Sequence, residues 1–144
     1  MARFKASDFV ATKHATAADK AKFAEAFCRF VEGGFKDKAL TEGLYRRLSM
    51  CFGHIAHFNR VGFYEHFFAT TQGKIHFLQQ CARWDRFGDP RFTFSDVESK
   101  LAAWLVAEGW VDKLEAQRAA EVERQERATL ARLQAKYGGA PCTK

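Results

Sequence analysis

Phenylalanine constrains this chain more than any other residue. Fifteen of its 144 residues are Phe, and each ring that leaves water removes a large apolar area, so the core must be rich in aromatic packing. Only two prolines interrupt the sequence, which leaves long helices unbroken. The length suits one domain that buries roughly two-thirds of the surface of its unfolded chain. With 47% hydrophobic and 28% charged residues, the composition is that of an ordinary globular protein.

Apolar spacing then divides the chain into helices. Residues 1–15 read as irregular or briefly extended. Thr16 opens a helix, with TAAD resembling a weak capping box in which Asp19 stands where Glu or Gln would serve better, and Phe23, Phe27, Phe30 and Val31 following at helical spacing up to Gly33 and Gly34. A second helix is expected from 41 to about 59. It places Leu44, Leu48, Cys51, Phe52, Ile55 and Phe58 on one arc about 120° wide, with Gly53 allowing a close helix crossing. After a turn at 59–62, the run FYEHFF forms a short helix or helical turn, and Thr70 or Thr71 caps the next helix through Trp84, with Ile75, Leu78, Cys81 and Ala82 facing inward.

The main loop is DRFGDPRFTF at 85–94, punctuated by Gly88 and Pro90. The SDVE run at 95–98 reads as a second capping box, opening a helix whose core stripe is Val97, Leu101, Trp104 and Leu105. Gly109 stops that helix, and Trp110 folds back onto its last turn. A long charged helix is expected over 111–137, with apolar residues at its ends, almost only charged residues and alanine over 115–127, and a favourably ordered Glu123–Arg127 pair. So thin a stripe predicts that this helix projects into solvent or packs on a partner; a pairing with a second copy would bury Leu130, Leu133 and Tyr137. Residues 138–144 are expected to form a flexible tail. The fold class is therefore all-α: a single compact domain of about five helices with an aromatic core.

The opening MARFKASDFVATKH lacks an apolar leader, and no later run reaches the roughly 18 apolar residues of a membrane span. Cys28, Cys51, Cys81 and Cys142 are widely separated and form no C-x-x-C pair. They read as reduced thiols of a cytoplasmic protein with no membrane association. The net charge is +6, and the excess lies in residues 1–91, with 15 basic against 9 acidic residues; residues 92–144 balance at 8 against 8. That asymmetry admits an acidic partner such as nucleic acid, although it also serves solubility.

The stretch FGHIAHFNRVGFYEHFF at 52–68 invites a metal-site reading, because Cys51, His54 and His57 recur every third residue. On a helix the three stand about 300°, 240° and 180° around from Leu48 and cannot converge on one ion. His54 and His57 with Glu65 or His66 across the turn would be needed instead, and edge and surface histidines are the simpler assignment. No metal or other cofactor is expected. Nor does any GxSxG, P-loop, GxGxxG or HExxH motif occur, and the reading is of a non-enzymatic protein.

Two basic features remain. The helix face opposite the core carries Arg46, His57 and Arg60, with Arg47 on its flank. In the loop, Arg83, Arg86 and Arg91 alternate with Trp84, Phe87 and Phe92. Exposed rings between arginines can stack bases while the guanidiniums neutralise phosphates. Against this stands a solvated helix face, and a loop whose rings pack beneath it while Asp85 and Asp89 answer the arginines. The candidate binding face is Arg46, Arg47, His57, Arg60, Arg83, Trp84, Arg86, Phe87 and Arg91, taking either nucleic acid or an acidic or nucleic-acid-binding host protein, since guanidinium binds phosphate and carboxylate alike.

Three segments, ARFKASDFVATKHATAADKAKFAEAF, LSMCFGHIAHFNRVGFYEHFF and GDPRFTFSDVE, together resemble a family of small proteins encoded on bacterial integrative conjugative elements and plasmids. The resemblance covers most of residues 2–98. It transfers no activity, ligand or catalytic residue. It implies a cytoplasmic accessory protein of mobile DNA, serving transfer or maintenance of the element or, as counter-defence, inhibiting a host complex.

Overall fold

A computed structural model of the chain describes residues 3–52, 59–83 and 88–138, residues 49–52 by their backbone alone. Six α-helices and no strand lie among the described residues: α1 Ala17–Glu32, α2 Glu42–Phe52, α3 Arg60–Phe68, α4 Thr71–Arg83, α5 Ser95–Ala107 and α6 Trp110–Leu133. None of them is long and apolar enough to cross a membrane.

Local chemistry sets most of these boundaries. Thr16 and Asp19 cap α1 reciprocally: the Thr16 hydroxyl accepts the Asp19 amide, and the Asp19 carboxylate accepts the Thr16 amide, both at 3.0 Å. At the other end the Gly34 amide donates to the Val31 carbonyl and the Phe35 amide to the Phe30 carbonyl. This is a Schellman closure, with Gly34 at φ 90°. The closure folds the Phe35 ring to 5.3 Å from that of Phe30. Phe35 itself holds φ 59°, a left-handed conformation costly for a bulky residue; burial against Phe30 and stacking on Phe68 at 5.4 Å keep it there.

The expected second helix is described only as far as Phe52. Asn59 begins a separate helix by accepting the Gly62 amide at 2.7 Å, so Arg60, Val61 and Gly62 are the first turn of α3 and not a turn preceding it. Gly53, Ile55, Phe58 and the side chains of Cys51 and Phe52 lie outside the described residues. Thr70 caps α4 by accepting the Gly73 amide at 3.0 Å.

The start of α5 departs from the sequence expectation. Ser95 is not its cap: it occupies the first helical position, and its hydroxyl donates to the Gly88 carbonyl at 3.0 Å. Glu98 closes no capping box there, and Phe94 at the N-cap makes no side-chain bond. The loop before α5 has taken the hydroxyl for itself.

Phe68 organises the aromatic core. Its ring lies 4.9 Å from Phe30 of α1, 5.7 Å from Phe63 of α3 and 5.0 Å from Phe77 of α4. The FYEHFF run is thus the middle of the core, with Phe63, Phe67 and Phe68 all buried. Cys28 and Cys81 are buried as well, and burial pushes the Cys28 thiol up to about 12, so it stays protonated and unreactive at neutral pH. Gly109, at φ 64°, separates α5 from α6 and lets Trp110 return to 6.1 Å from Trp104. The first half of α6 packs on α4, where Thr71 donates to Glu121 at 3.0 Å; from 122 to 138 every residue is exposed.

The tight crossing sits at Gly73. A Cβ there would stand 2.7 Å from the Phe67 carbonyl oxygen, a backbone atom that cannot swing aside. Gly73→Ala gains up to ~1 kcal/mol in helix propensity and loses about 1–3 kcal/mol to overpacking. The variant should unfold at lower urea concentration than the parent with an unchanged denaturant slope; a higher midpoint would show that α3 and α4 are not in this contact.

Candidate nucleic-acid interface

The loop before α5 is built from a short sequence with strong local preferences. Pro90 fixes one turn position, and the Asp89 carboxylate accepts the Arg91 amide at 2.8 Å, an Asx turn. The Asp89 carbonyl accepts the amides of Phe92 at 2.8 Å and Thr93 at 3.0 Å. Gly88 holds φ 96° with the Thr93 methyl 2.9 Å from where a Cβ would be, so only glycine fits.

A buried lysine then ties this loop to the domain. Lys20 lies on the inward face of α1 and is 0% exposed. Burying an amino group without partners is costly, and here each of its three N–H bonds has one. Nζ donates to the Pro90 carbonyl at 2.8 Å, the Thr93 carbonyl at 2.9 Å and Asp96 Oδ1 at 3.0 Å. Asp96 in turn accepts the Val10 amide at 3.0 Å and the Val97 amide at 2.9 Å. One carboxylate therefore joins the N-terminal segment, α1, the loop and α5.

Phe94, the last loop residue, lies 5.2 Å from Lys20 Nζ and 4.2 Å from the Arg47 guanidinium of α2. That second contact brings α2 and the loop, the two basic features of the sequence, to one edge. Two exposed groups stand there on the loop: Phe92, 75% exposed, and Arg91, whose guanidinium lies 5.9 Å from the Phe92 ring.

The other candidates are distributed as follows. Arg46 is exposed on α2, with its Nε 3.9 Å from Glu42. Arg60 is taken up in the fold: Nη1 donates to Asp37 Oδ1 at 2.8 Å and to the Leu40 carbonyl at 3.1 Å, closing the connection between α1 and α2. Arg83 is exposed at the end of α4. His57, Trp84, Arg86 and Phe87 lie outside the described residues, as do His54 and Asp85. Glu65 and His66 are exposed on α3, and no group of three or more metal-ligating side chains occurs among the described residues.

Sequence reasoning missed Phe94 as the junction and Lys20 as the anchor. It also missed Arg3, whose amide donates to Glu25 at 2.9 Å while its guanidinium pairs with Glu25 and Glu32 of α1. The signal for Lys20 was present: at about 100° per residue it falls between Ala24 and Phe27 on the buried arc of α1.

Comparison with protein-family models, with curated proteins and with solved structures finds no match for this chain.

Arg91 grips Asp89 through Nε and Nη2, at 3.0 and 2.6 Å. These side-chain bonds, then the Arg91 amide, lower the Asp89 carboxyl to about 2, against about 3.9 for an unperturbed aspartate. Because the folded value is the depressed one, the contact is fully formed above pH 4 and is lost as pH falls through 2. Carbon-13 NMR titration of the Asp89 carboxyl should show that midpoint, and Arg91→Ala should move it upward; an ordinary midpoint in the parent would show that the pair is not formed.

Proposed function

We propose that the protein is a non-enzymatic accessory protein of mobile DNA that binds nucleic acid at the edge where α2 meets the 88–94 loop. The setting rests on the family resemblance of the three quoted segments. The binding reading rests on one observation: Arg47 reaches Phe94 at 4.2 Å and so joins the α2 arginines to a loop that displays an arginine beside a bare aromatic ring.

The chemistry of that edge suits a single strand. Phe92 offers an open face on which a base can stack, independent of which base it is. Arg46 and Arg91 expose guanidiniums for phosphate, and Asp89 is met only by the Nε and Nη2 edge of Arg91. Arg47, held on Phe94, adds positive charge without moving. The loop is already ordered, so binding loses little conformational entropy at this point.

A second reading draws on a different observation. Arg46, Arg60 and Arg91 each already meet a carboxylate of this chain, Glu42, Asp37 and Asp89. An acidic face of a host protein could take the place of those carboxylates, making the chain an inhibitor or adaptor of a host complex.

Fluorescence anisotropy with single-stranded DNA decides between them. If Arg46, Arg47 and Arg91 each neutralise one phosphate, affinity falls about 20-fold between 50 and 200 mM salt. Phe92→Ala should weaken binding by about 1–3 kcal/mol at constant salt, and Arg46→Ala with Arg91→Ala should flatten the salt dependence. No binding of single- or double-stranded probes at the lower salt overturns the nucleic-acid reading and leaves the protein-partner one.

A further inference from the structure

The second half of α6 has no partner within the described residues, yet its sequence is patterned on two levels. Leu114 is buried, and Gln117 and Glu121 still meet Thr71 of α4, whereas 122–138 is exposed throughout. Val122, Leu130, Leu133 and Tyr137 are left 41%, 55%, 39% and 63% exposed. At about 100° per residue the first three fall within about 80° of one another, a mainly apolar stripe in which Glu126 stands between Leu133 and Leu130. Tyr137, on the π-helical turn Gln134–Gly138 that ends the helix, continues it. Internal support is slight: the Glu123–Arg127 pair at 3.1 Å is exposed, and a solvent-exposed pair of this kind adds little.

Charge is segregated along the same helix. Residues 110–126 hold five carboxylates (Asp112, Glu115, Glu121, Glu123, Glu126) against three cations (Lys113, Arg118, Arg124). Residues 127–138 hold Arg127, Arg132 and Lys136 and no carboxylate. Two such helices laid parallel would set like charge beside like. Laid antiparallel, each basic end covers the acidic half of the other.

We propose that the protein forms a homodimer through α6, with the two helices antiparallel and crossing near Glu126 and Arg127. In that register Val122 of one copy lies beside Leu130 of the other, Leu133 beside the small Ala119, Arg132 and Lys136 beside Glu121 and Glu115, and Arg127 beside Glu123, while the two Glu126 residues flank the two-fold axis. The stripe is covered and the segregated charge is matched at both ends by one two-fold operation. The proposal is independent of the nucleic-acid reading, since none of these residues belongs to the α2–loop edge.

Light scattering on the full chain, from low to high micromolar concentration, should give twice the chain mass of 16.4 kDa. Leu130→Glu with Leu133→Glu, both at exposed positions, should give a monomer whose thermal unfolding is that of a folded domain. Reversing Arg127, Arg132 and Lys136 to Glu should also give a monomer. That variant should form a heterodimer when mixed with a chain carrying Glu115→Lys and Glu123→Lys. A parent that stays monomeric at every concentration overturns the proposal, including when it associates with a different protein instead. So does a dimer that survives Leu130→Glu with Leu133→Glu.

Discussion

The bond set around Lys20 is the constraint from which the rest of the described edge follows. Nothing about a lysine favours burial, and the apolar face of α1 accepts one only because two loop carbonyls and Asp96 converge on its three donors. The reverse dependence also holds. The Pro90 and Thr93 carbonyls and the Asp96 carboxylate would be poorly satisfied without the amino group. Removing one partner of such a pair leaves the other buried and is costly, even where the pair as a whole adds little net stability. What it supplies is specificity: it fixes which loop conformation closes over α1.

That fixed conformation decides which groups the edge presents to solvent. With the carbonyls of 90 and 93 pointing inward to Lys20, Phe92 is left outward between them, and its ring stays in water rather than under the loop. Phe94 goes the other way and is met by the cations of α1 and α2. The turn closed on the Asp89 carbonyl therefore separates one ring for structure and one for display. The expectation that the loop rings pack beneath it fails for Phe92; Trp84 and Phe87 lie outside the described residues.

The parts of the fold legible in the sequence are those set by near neighbours. Thr16 with Asp19, Gly33 with Gly34, Thr70 and Gly109 act within a few residues, and helices start and stop where those residues stand; Asn59, read as the start of a turn, instead caps α3. The aromatic core could be anticipated for a related reason, since Phe23, Phe27 and Phe30 repeat at helical spacing. What could not be read were contacts made across the chain. Ser95 looks like a cap until Gly88 competes for its hydroxyl. Arg60 looks like surface until Asp37 and the Leu40 carbonyl, 23 and 20 residues earlier, take its guanidinium. Gly73 marks the close α3–α4 approach, whereas the sequence drew attention to Gly53. Lys20 was legible by its angle on the helix, but a lysine on an apolar arc has no identifiable partner until the fold brings Asp96 from 76 residues away.

Amide hydrogen exchange tests most directly whether the loop is a preformed part of the domain. The Phe92 and Thr93 amides donate to the Asp89 carbonyl, and if Lys20 holds the loop they open only with the domain. Their exchange should be as slow as that of core amides in α1, such as Phe27 and Cys28, and Lys20→Met should speed the loop amides more than the core ones. Loop amides in the parent protein exchanging at the rate of an unstructured peptide, while α1 stays protected, would contradict the account.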